Sequence, residues 1–516
     1  MSFVSVLEPR MSIVPESESL HVISGGSQRF STQVITSDSS QVNAPLVSAI
    51  WSINPPSNQT VIDRFIKVRA YVEVKCTGGD FEIASNDCMR QFPLNSLIDV
   101  TSIRINGESV SDNSGDILHA QLCYHNEPED RKKSWSTTAA QPDQYQALED
   151  YLVLGTSRNV AANYGENSLE PTRGGFQVEV VDPQTLRFIV TEPLFISPMY
   201  QGSGKQVEGF VNVNELNINL RFKSMTERFM TLAPRLAPGV NITSCSAQFY
   251  RQPEVLINYL TPDNLQMLPD TQTLGYTKPQ SYLRQLSPDF AVGETRSVTS
   301  DSIRLSQIPS KIMLFARRQE AASTFDKPDS FLKIKGVSVD FNNESGLLAG
   351  ATEQDLFEIS RRNGCNLSYP QFTQYRGGVL VLEMGKDIGL VDSLAPGVQG
   401  SFTIRVTVTF ENVSGDTYPA SYYMVLYNVG AFSISQNSAR SSLGNLSQSM
   451  VLSAHSGMSM PHHEREMLHG GSLLGSLSTI IPKGHVRGAS SKMDDEEKEP
   501  SAMPARRVIG GSLRRK

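Results

Sequence analysis

Apolar and polar residues alternate with a period of two along much of this chain. The stretch from Phe210 to Phe222 does so with one slip at Asn214-Glu215, and Phe402-Thr-Ile-Arg-Val-Thr-Val-Thr-Phe410 does so without a break. Ile303–Ile308, Lys311–Ala316 and Leu332–Phe341 give further strand segments. Such alternation marks a strand with one face in a core and the other in water, and a slip reads as a bulge. Asn106-Gly107, set between Ile103-Arg-Ile105 and Glu108-Ser-Val110, supplies the positive φ angles of a tight turn and predicts a hairpin.

Helical signals are few. Thr352–Gly364 is the best: Thr352 caps, Asp355 completes a capping box, Arg361 and Arg362 suit the negative end, and Gly364 stops the helix. Leu356 and Ile359 face the core in that helix. A second candidate covers about 143–154, inside a long polar insertion. Many strands with rare helices predict an all-β chain of two antiparallel sandwiches in tandem, with a few short helices. The Pro/Gly-rich stretch Leu232–Gly239 reads as the linker.

Composition marks where the fold ends. From Ser433 to Lys516 there is no Phe, Trp or Tyr, and five of the eight histidines lie there. A segment without aromatic residues cannot bury enough surface to offset the entropy of ordering it. The expected organisation is an N-terminal arm at 1–27, a first sandwich at 28–240 with an exposed insertion at about 111–175, a second at 241–432, and a disordered C-terminal tail at 433–516. The tail carries a net +4 and the rest a net −11, so the body does not read as a nucleic-acid binder. No run of about 18 apolar residues occurs, so no membrane span is expected. The N-terminus lacks the basic flank and apolar run of a secretory signal. Five scattered cysteines, Cys76, Cys88, Cys123, Cys245 and Cys365, suit thiols in a reducing compartment better than a disulfide frame.

Several strings carry a resemblance. In the first half they are Asn54–Arg64 (NPPSNQTVIDR), Phe92-Pro-Leu-Asn-Ser96 leading to Ile103–Gly107, and Glu192-Pro-Leu-Phe-Ile-Ser-Pro198. In the second half they are Ile308–Arg317, Asn343–Leu348 with the helix after it, and Asp387-Ile-Gly-Leu390. In this order the chain resembles the major capsid proteins of Polinton-like viruses and virophages, in the adenovirus and tectivirus lineage. The resemblance implies a double jelly roll, a homotrimeric pseudo-hexagonal capsomer, and an icosahedral DNA-virus shell assembled inside the host cell. It implies burial of apolar wall surface between copies, with penton and minor capsid proteins as further partners. No enzyme activity, cofactor or metal is implied, and the expected location is the virion.

The resemblance also implies a viral cysteine protease that cuts after Gly-Gly when an apolar residue stands two places before the pair. Two glycines fit a narrow cleft and take an extended path that side chains would block. Gly471-Ser472 and Gly26-Ser27 fit fully, and Gly511-Ser512 fits loosely because Val508 holds the apolar place. The alternative is that Gly-Gly-Ser is linker composition. The basic end, Arg506, Arg507, Arg514, Arg515 and Lys516, can contact packaged DNA by neutralising phosphate, although the acidic run Asp494–Glu497 beside it weakens that field. Ser472–Ile481 can form a short apolar anchor, better suited to a protein scaffold than to a membrane.

Other clusters read as ordinary structure. His462, His463 and His469 match no zinc spacing. His119, Cys123 and His125 lie close in sequence, but a packing role outweighs a catalytic Cys–His pair. Asp340–Glu344 offers oxygens without a known calcium-loop spacing and reads as a turn. A competing function class is a β-sandwich carbohydrate-binding or carbohydrate-active protein. It needs exposed aromatic platforms or a pair of acids in a cleft, and Trp51 and Trp135 are the only tryptophans.

Overall fold

The computed structural model describes residues 3–6, 21–24, 29–57, 60–81, 88–89, 92–125, 178–199, 209–223, 230–231, 242–261, 268–323, 331–365, 369, 372–373, 378–391 and 393–455. Its strands begin with β1 (Phe3–Val6), β2 (His21–Ser24), β3 (Arg29–Thr36), β4 (Ser39–Ser40), β5 (Ser48–Ile53), β6 (Val61–Ile62), β7 (Lys67–Thr77) and β8 (Cys88–Met89). They continue with β9 (Ile98–Ile105), β10 (Glu108–Asp112), β11 (Val178–Asp182), β12 (Thr185–Pro193), β13 (Leu216–Phe222), β14 (Met230–Thr231) and β15 (Ser244–Thr261). The later strands are β16 (Thr271–Gln285), β17 (Thr295–Thr299), β18 (Ile303–Gln307), β19 (Lys311–Arg318), β20 (Lys333–Phe341) and β21 (Glu344–Leu347). The last are β22 (Leu380–Glu383), β23 (Gln399–Glu411), β24 (Ala420–Ser435) and β25 (Ser438–Leu443). Among the described residues the α-helices are α1 (Pro93–Leu97), α2 (Ser114–His125), α3 (Glu353–Arg362) and α4 (Gln448–His455).

The first sandwich sets sheet β10-β9-β13-β5-β4 against sheet β11-β12-β7-β15-β3. The second sets β16-β24-β19-β22 against β17-β23-β20-β21. The alternating residues drive this packing: Leu216, Ile218 and Leu220 of β13 meet Val72 and Val74 of β7, Phe188 of β12 and Phe249 of β15 in one core. In the second roll Ile404, Val406, Val408 and Phe410 of β23 meet Ile312 and Leu314 of β19 and Tyr422 and Met424 of β24. This is the expected all-β double jelly roll.

Two long strands serve both cores. β16 and β24 have 15 and 16 residues, a length of roughly 50 Å at strand rise. Their far ends carry Leu274, Tyr276, Phe432 and Ile434 into the core of the first roll.

Local predictions meet the structure at several points. Asn106 (φ 44°) and Gly107 (φ 90°) turn β9 into β10, as the Asn-Gly signal requires. Thr352 caps α3 with the full reciprocal box to Asp355, and Leu356 and Phe357 are buried while Ile359 is half-buried. Four expectations need correction. The strand Ser244–Thr261, placed in the second roll by the 240/241 division, pairs with β7 and β3 of the first. Its inward face (Phe249, Val255, Ile257, Tyr259) fills the first core, so the Pro/Gly stretch before it does not separate the rolls. The fold also continues past 432: β25 pairs with β24, and α4 ends at His455. Backbone pairing needs no aromatic residues, so a Ser-rich strand can close a sheet. The slip at Asn214-Glu215 is not a bulge but a strand start, because Asn212 adopts φ 61° and β13 begins at Leu216. Finally, the start of the insertion, residues 111–125, is strand end and helix, with Ile117, Leu118 and Ala120 buried. The remainder of the insertion, the helix candidate at 143–154 and the linker residues 232–239 lie outside the described residues.

Candidate assembly surfaces

The features that bear on the expected assembly are the joint that makes two sandwiches one block and the walls and ends of that block. The joint is built first from α2. Ile117 and Ala120 of this helix lie on the outer face of the β19-β22-β24 sheet, against Met313, Phe315, Val381, Tyr423 and Val425. β19 and β24 are therefore buried on both faces, which is why Lys311–Ala316 reads as a continuous apolar run. Phe315 and Tyr423 stack at 4.7 Å, and Tyr124 Oη donates to Val379 O at 2.7 Å.

Polar groups close the joint at two places. Lys223, after β13, reaches Asp99 at 3.3 Å, Asp116 of α2 at 3.2 Å and Glu320 of the second roll at 3.0 Å. At the other place the Asn106 side chain donates to Asn212 O (2.7 Å) and Ser435 O (3.0 Å) and accepts from Asn214 N (2.8 Å). Gln272 donates to Gly209 O at 2.7 Å and accepts from Val211 N at 3.0 Å, while Glu108 accepts from Ser441. At the end of β10, burial pushes the Asp112 carboxyl up to about 7 against the charge of Lys278.

The recurring strings converge. Glu192 accepts from Leu94 N (2.8 Å), Asn95 N (2.7 Å) and Asn95 Nδ2 (2.8 Å), and Arg64 Nε donates to Pro198 O at 2.7 Å. In the second roll Asp387 accepts from Arg362, from Asn363 Nδ2 (2.6 Å) and from Glu383 N (2.8 Å), tying the end of α3 to β22. These residues staple loops to sheets.

The outer walls differ from expectation. They are polar, not apolar: Asn217, Asn219 and Arg221 line β13, and Thr403, Arg405, Thr407 and Thr409 line β23. On β7, Glu73 is held by Arg187 (2.7 Å), Lys75 (3.1 Å) and Gln248 (2.6 Å). Burial pushes the Glu73 carboxyl up, but these donors outweigh it and hold the group below the usual range. Arg251 lies over Tyr71, whose hydroxyl donates to Glu254 at 3.0 Å. The exposed large apolar residues of the strands are few, with Val34, Val180, Val181, Ile189 and Leu283 spread over β3, β11, β12 and β16. The apolar outer face that does exist, on β19 and β24, is covered by the chain's own α2.

Other sequence-level candidates are placed as follows. Gly26, Ser27, Gly471, Ser472, Gly511, Ser512, the basic end from Arg506 to Lys516, and His462, His463 and His469 lie outside the described residues. His119, Cys123 and His125 lie on α2. Asp340 accepts from Gly346 N (3.0 Å) and Arg405 Nη2 (3.0 Å), which is turn chemistry. Among the described residues no group of three or more His, Cys, Asp or Glu is arranged to hold a metal, and no helix is long and apolar enough to cross a membrane. Trp51 is fully buried and offers no stacking face, and Trp135 lies outside the described residues. Sequence reasoning missed α2 as the clamp; its apolar pattern is too weak to stand out.

Comparison with known proteins gives the same architecture. Residues 4–185 match the family model of the Sputnik virophage major capsid protein 1st domain, and residues 280–430 that of the major capsid protein V20 C-terminal domain. The putative capsid protein V20 of Sputnik virophage is 28% identical, with 98% of this chain and 90% of that protein covered. A chain of the Sputnik virophage cryo-EM structure superposes with TM-score 0.75 at 26% identity, covering 90% of this chain and 98% of that one. The mavirus major capsid protein shares the fold at 16% identity and TM-score 0.66, covering 82% of this chain and 92% of that one.

Proposed function

We propose that this chain, a major capsid protein of the virophage kind, assembles as homotrimers whose six sandwiches form a pseudo-hexagonal capsomer, and that these capsomers tile an icosahedral shell. It is a structural protein of the virion. The observation that carries the proposal is the pair of shared strands: β16 and β24 run from one roll into the other, so each chain is one block that can stand upright in a shell. Copies meet through the polar walls and the loops at their ends. Interfaces that form between soluble chains are about as apolar as ordinary surface, so Thr, Asn and Arg ladders suit this role. Specificity then comes from matched hydrogen bonds and charges.

Light scattering coupled to size-exclusion chromatography tests the proposal. A trimer that persists on dilution, and hexagonal particles by electron microscopy, are expected. A folded monomer at micromolar concentration would defeat it. Penton and minor capsid proteins are the further partners, meeting the block at lattice edges. A viral cysteine protease is proposed to act after Gly471, and secondarily after Gly26 and Gly511. Arg506, Arg507, Arg514, Arg515 and Lys516 are proposed to touch the genome weakly, with a salt-sensitive affinity.

A further inference from the structure

We propose that Cys76 and Cys245 form an oxidation site, a cross-strand dithiol that a small-molecule disulfide converts into a covalent clamp between β7 and β15. The two residues are direct partners in the antiparallel ladder. The Cys76 N–H donates to Gln184 O at 2.9 Å, on the β12 side. Its backbone groups therefore point away from β15, and Cys76 and Cys245 face each other as a non-hydrogen-bonded pair. In such pairs the Cα atoms lie about 4.5 Å apart with both side chains on one face, inside the range of roughly 4.4–6.8 Å that a disulfide spans. Both side chains do lie on one face: Cys76 is in the first core, and half-buried Cys245 packs against the same cluster. Cys76 Sγ donates to Gly79 O at 3.1 Å, a bond that the disulfide replaces.

Access comes from the strand ends, where Thr77, Thr243 and Ser244 are exposed. The more accessible Cys245 thiolate attacks one sulfur of the reagent, and the first thiol leaves with a proton. The Cys76 thiolate then attacks the Cys245 sulfur of the mixed disulfide, and the second thiol leaves. Two cysteine thiols are oxidised and one small disulfide is reduced to two thiols. The bond closes a loop of roughly 170 residues that contains most of the first roll, so the clamp restricts the unfolded chain strongly.

The test incubates the full chain with oxidised glutathione under native conditions, alkylates it with N-ethylmaleimide, and maps it unreduced by mass spectrometry. The expected product joins the Cys76 peptide to the Cys245 peptide, in a yield independent of protein concentration and unchanged by Cys365→Ser. Its melting temperature rises by about 5 °C or more, and dithiothreitol reverses the rise. Recovery of both cysteines as alkylated thiols would overturn the proposal. So would a persistent glutathione adduct at Cys245 or a bond to any other cysteine. The wild-type map decides the matter even if Cys245→Ser folds poorly.

Discussion

Asn95 gives both its backbone N–H and its side-chain amide to one oxygen of Glu192, at 2.7 and 2.8 Å, while Leu94 N takes the other oxygen. Glu192 is 0% exposed, and burial pushes its carboxyl up to about 7 although the three N–H donors favour the ionised form. The pair joins two strings nearly a hundred residues apart and fixes α1 against β12. Glu192→Gln turns an amide nitrogen toward N–H groups that need an acceptor. It should lower stability by about 2–3 kcal/mol, and Glu192→Ala should cost more, because buried donors are then left without acceptors. Guanidinium unfolding at fixed protein concentration measures both. Equal midpoints for Glu192→Gln and wild type would mean the clamp is energetically idle.

Asp112 predicts a pH dependence at the joint. Its Oδ1 is buried without a hydrogen-bond partner among the described residues, and its carboxyl rises from an ordinary 3.8 to about 7 by burial. The folded chain thus holds this proton more tightly than the unfolded one. Stability from this group is present below the unfolded value, falls as pH climbs from about 4 to 7, and stays reduced above that. Asp112→Asn keeps the shape without the charge. It should match wild type below about pH 4 and gain on the order of 4 kcal/mol at pH 8. Melting temperature recorded across pH for both proteins checks the sign; parallel curves would remove Asp112 as the cause.

The strands were legible where one face meets water, as at Phe402–Phe410, because burial alternates with the pleat there. The Asn-Gly hairpin and the α3 capping box were legible because their chemistry is local. The division of the chain was not. Ser244–Thr261 follows a Pro/Gly stretch yet returns to the first sheet, and only the pairing partner, far away in sequence, decides where a strand goes. The staples were visible only as recurring strings. That Glu192 meets Asn95, or Asp387 meets Asn363, depends on three-dimensional convergence that no spacing rule contains. The apolar walls that the resemblance implied are not found among the described strands; the apolar outer face of β19 and β24 is covered by α2.

Helix α2 gives a test of how the rolls are joined. Ile117 is 2% exposed and packs on the second roll's sheet, beside the cluster in which Lys223 meets Asp99, Asp116 and Glu320. Ile117→Ala should cost about 2–4 kcal/mol through lost burial and the cavity left behind. Lys223→Met should cost about 1–3 kcal/mol, because three carboxylates lose their shared cation in a partly buried place. The two losses should be coupled, since both act on one helix. A double-variant cycle by chemical denaturation measures the coupling. Strict additivity would mean that the helix and the ion cluster hold the rolls independently.

The tail makes the last prediction. The described fold ends at His455, and Gly471 lies beyond it in Leu468-His-Gly-Gly-Ser472. A protease that needs an extended Gly-Gly path is blocked where the chain is tied into a sheet, as beside Gly78, directly after β7, and Gly378, just before β22. Cleavage after Gly471 removes Ser472 to Lys516, and with it the basic end, while leaving β25 and α4 in place. Intact-mass measurement of the protein from virions should therefore give a chain ending at Gly471. Gly471→Val should block the cut and leave trimer formation unchanged, because it alters no residue of the described sandwiches. A virion chain carrying Lys516 at its end, with particles of normal yield, would rule the processing step out.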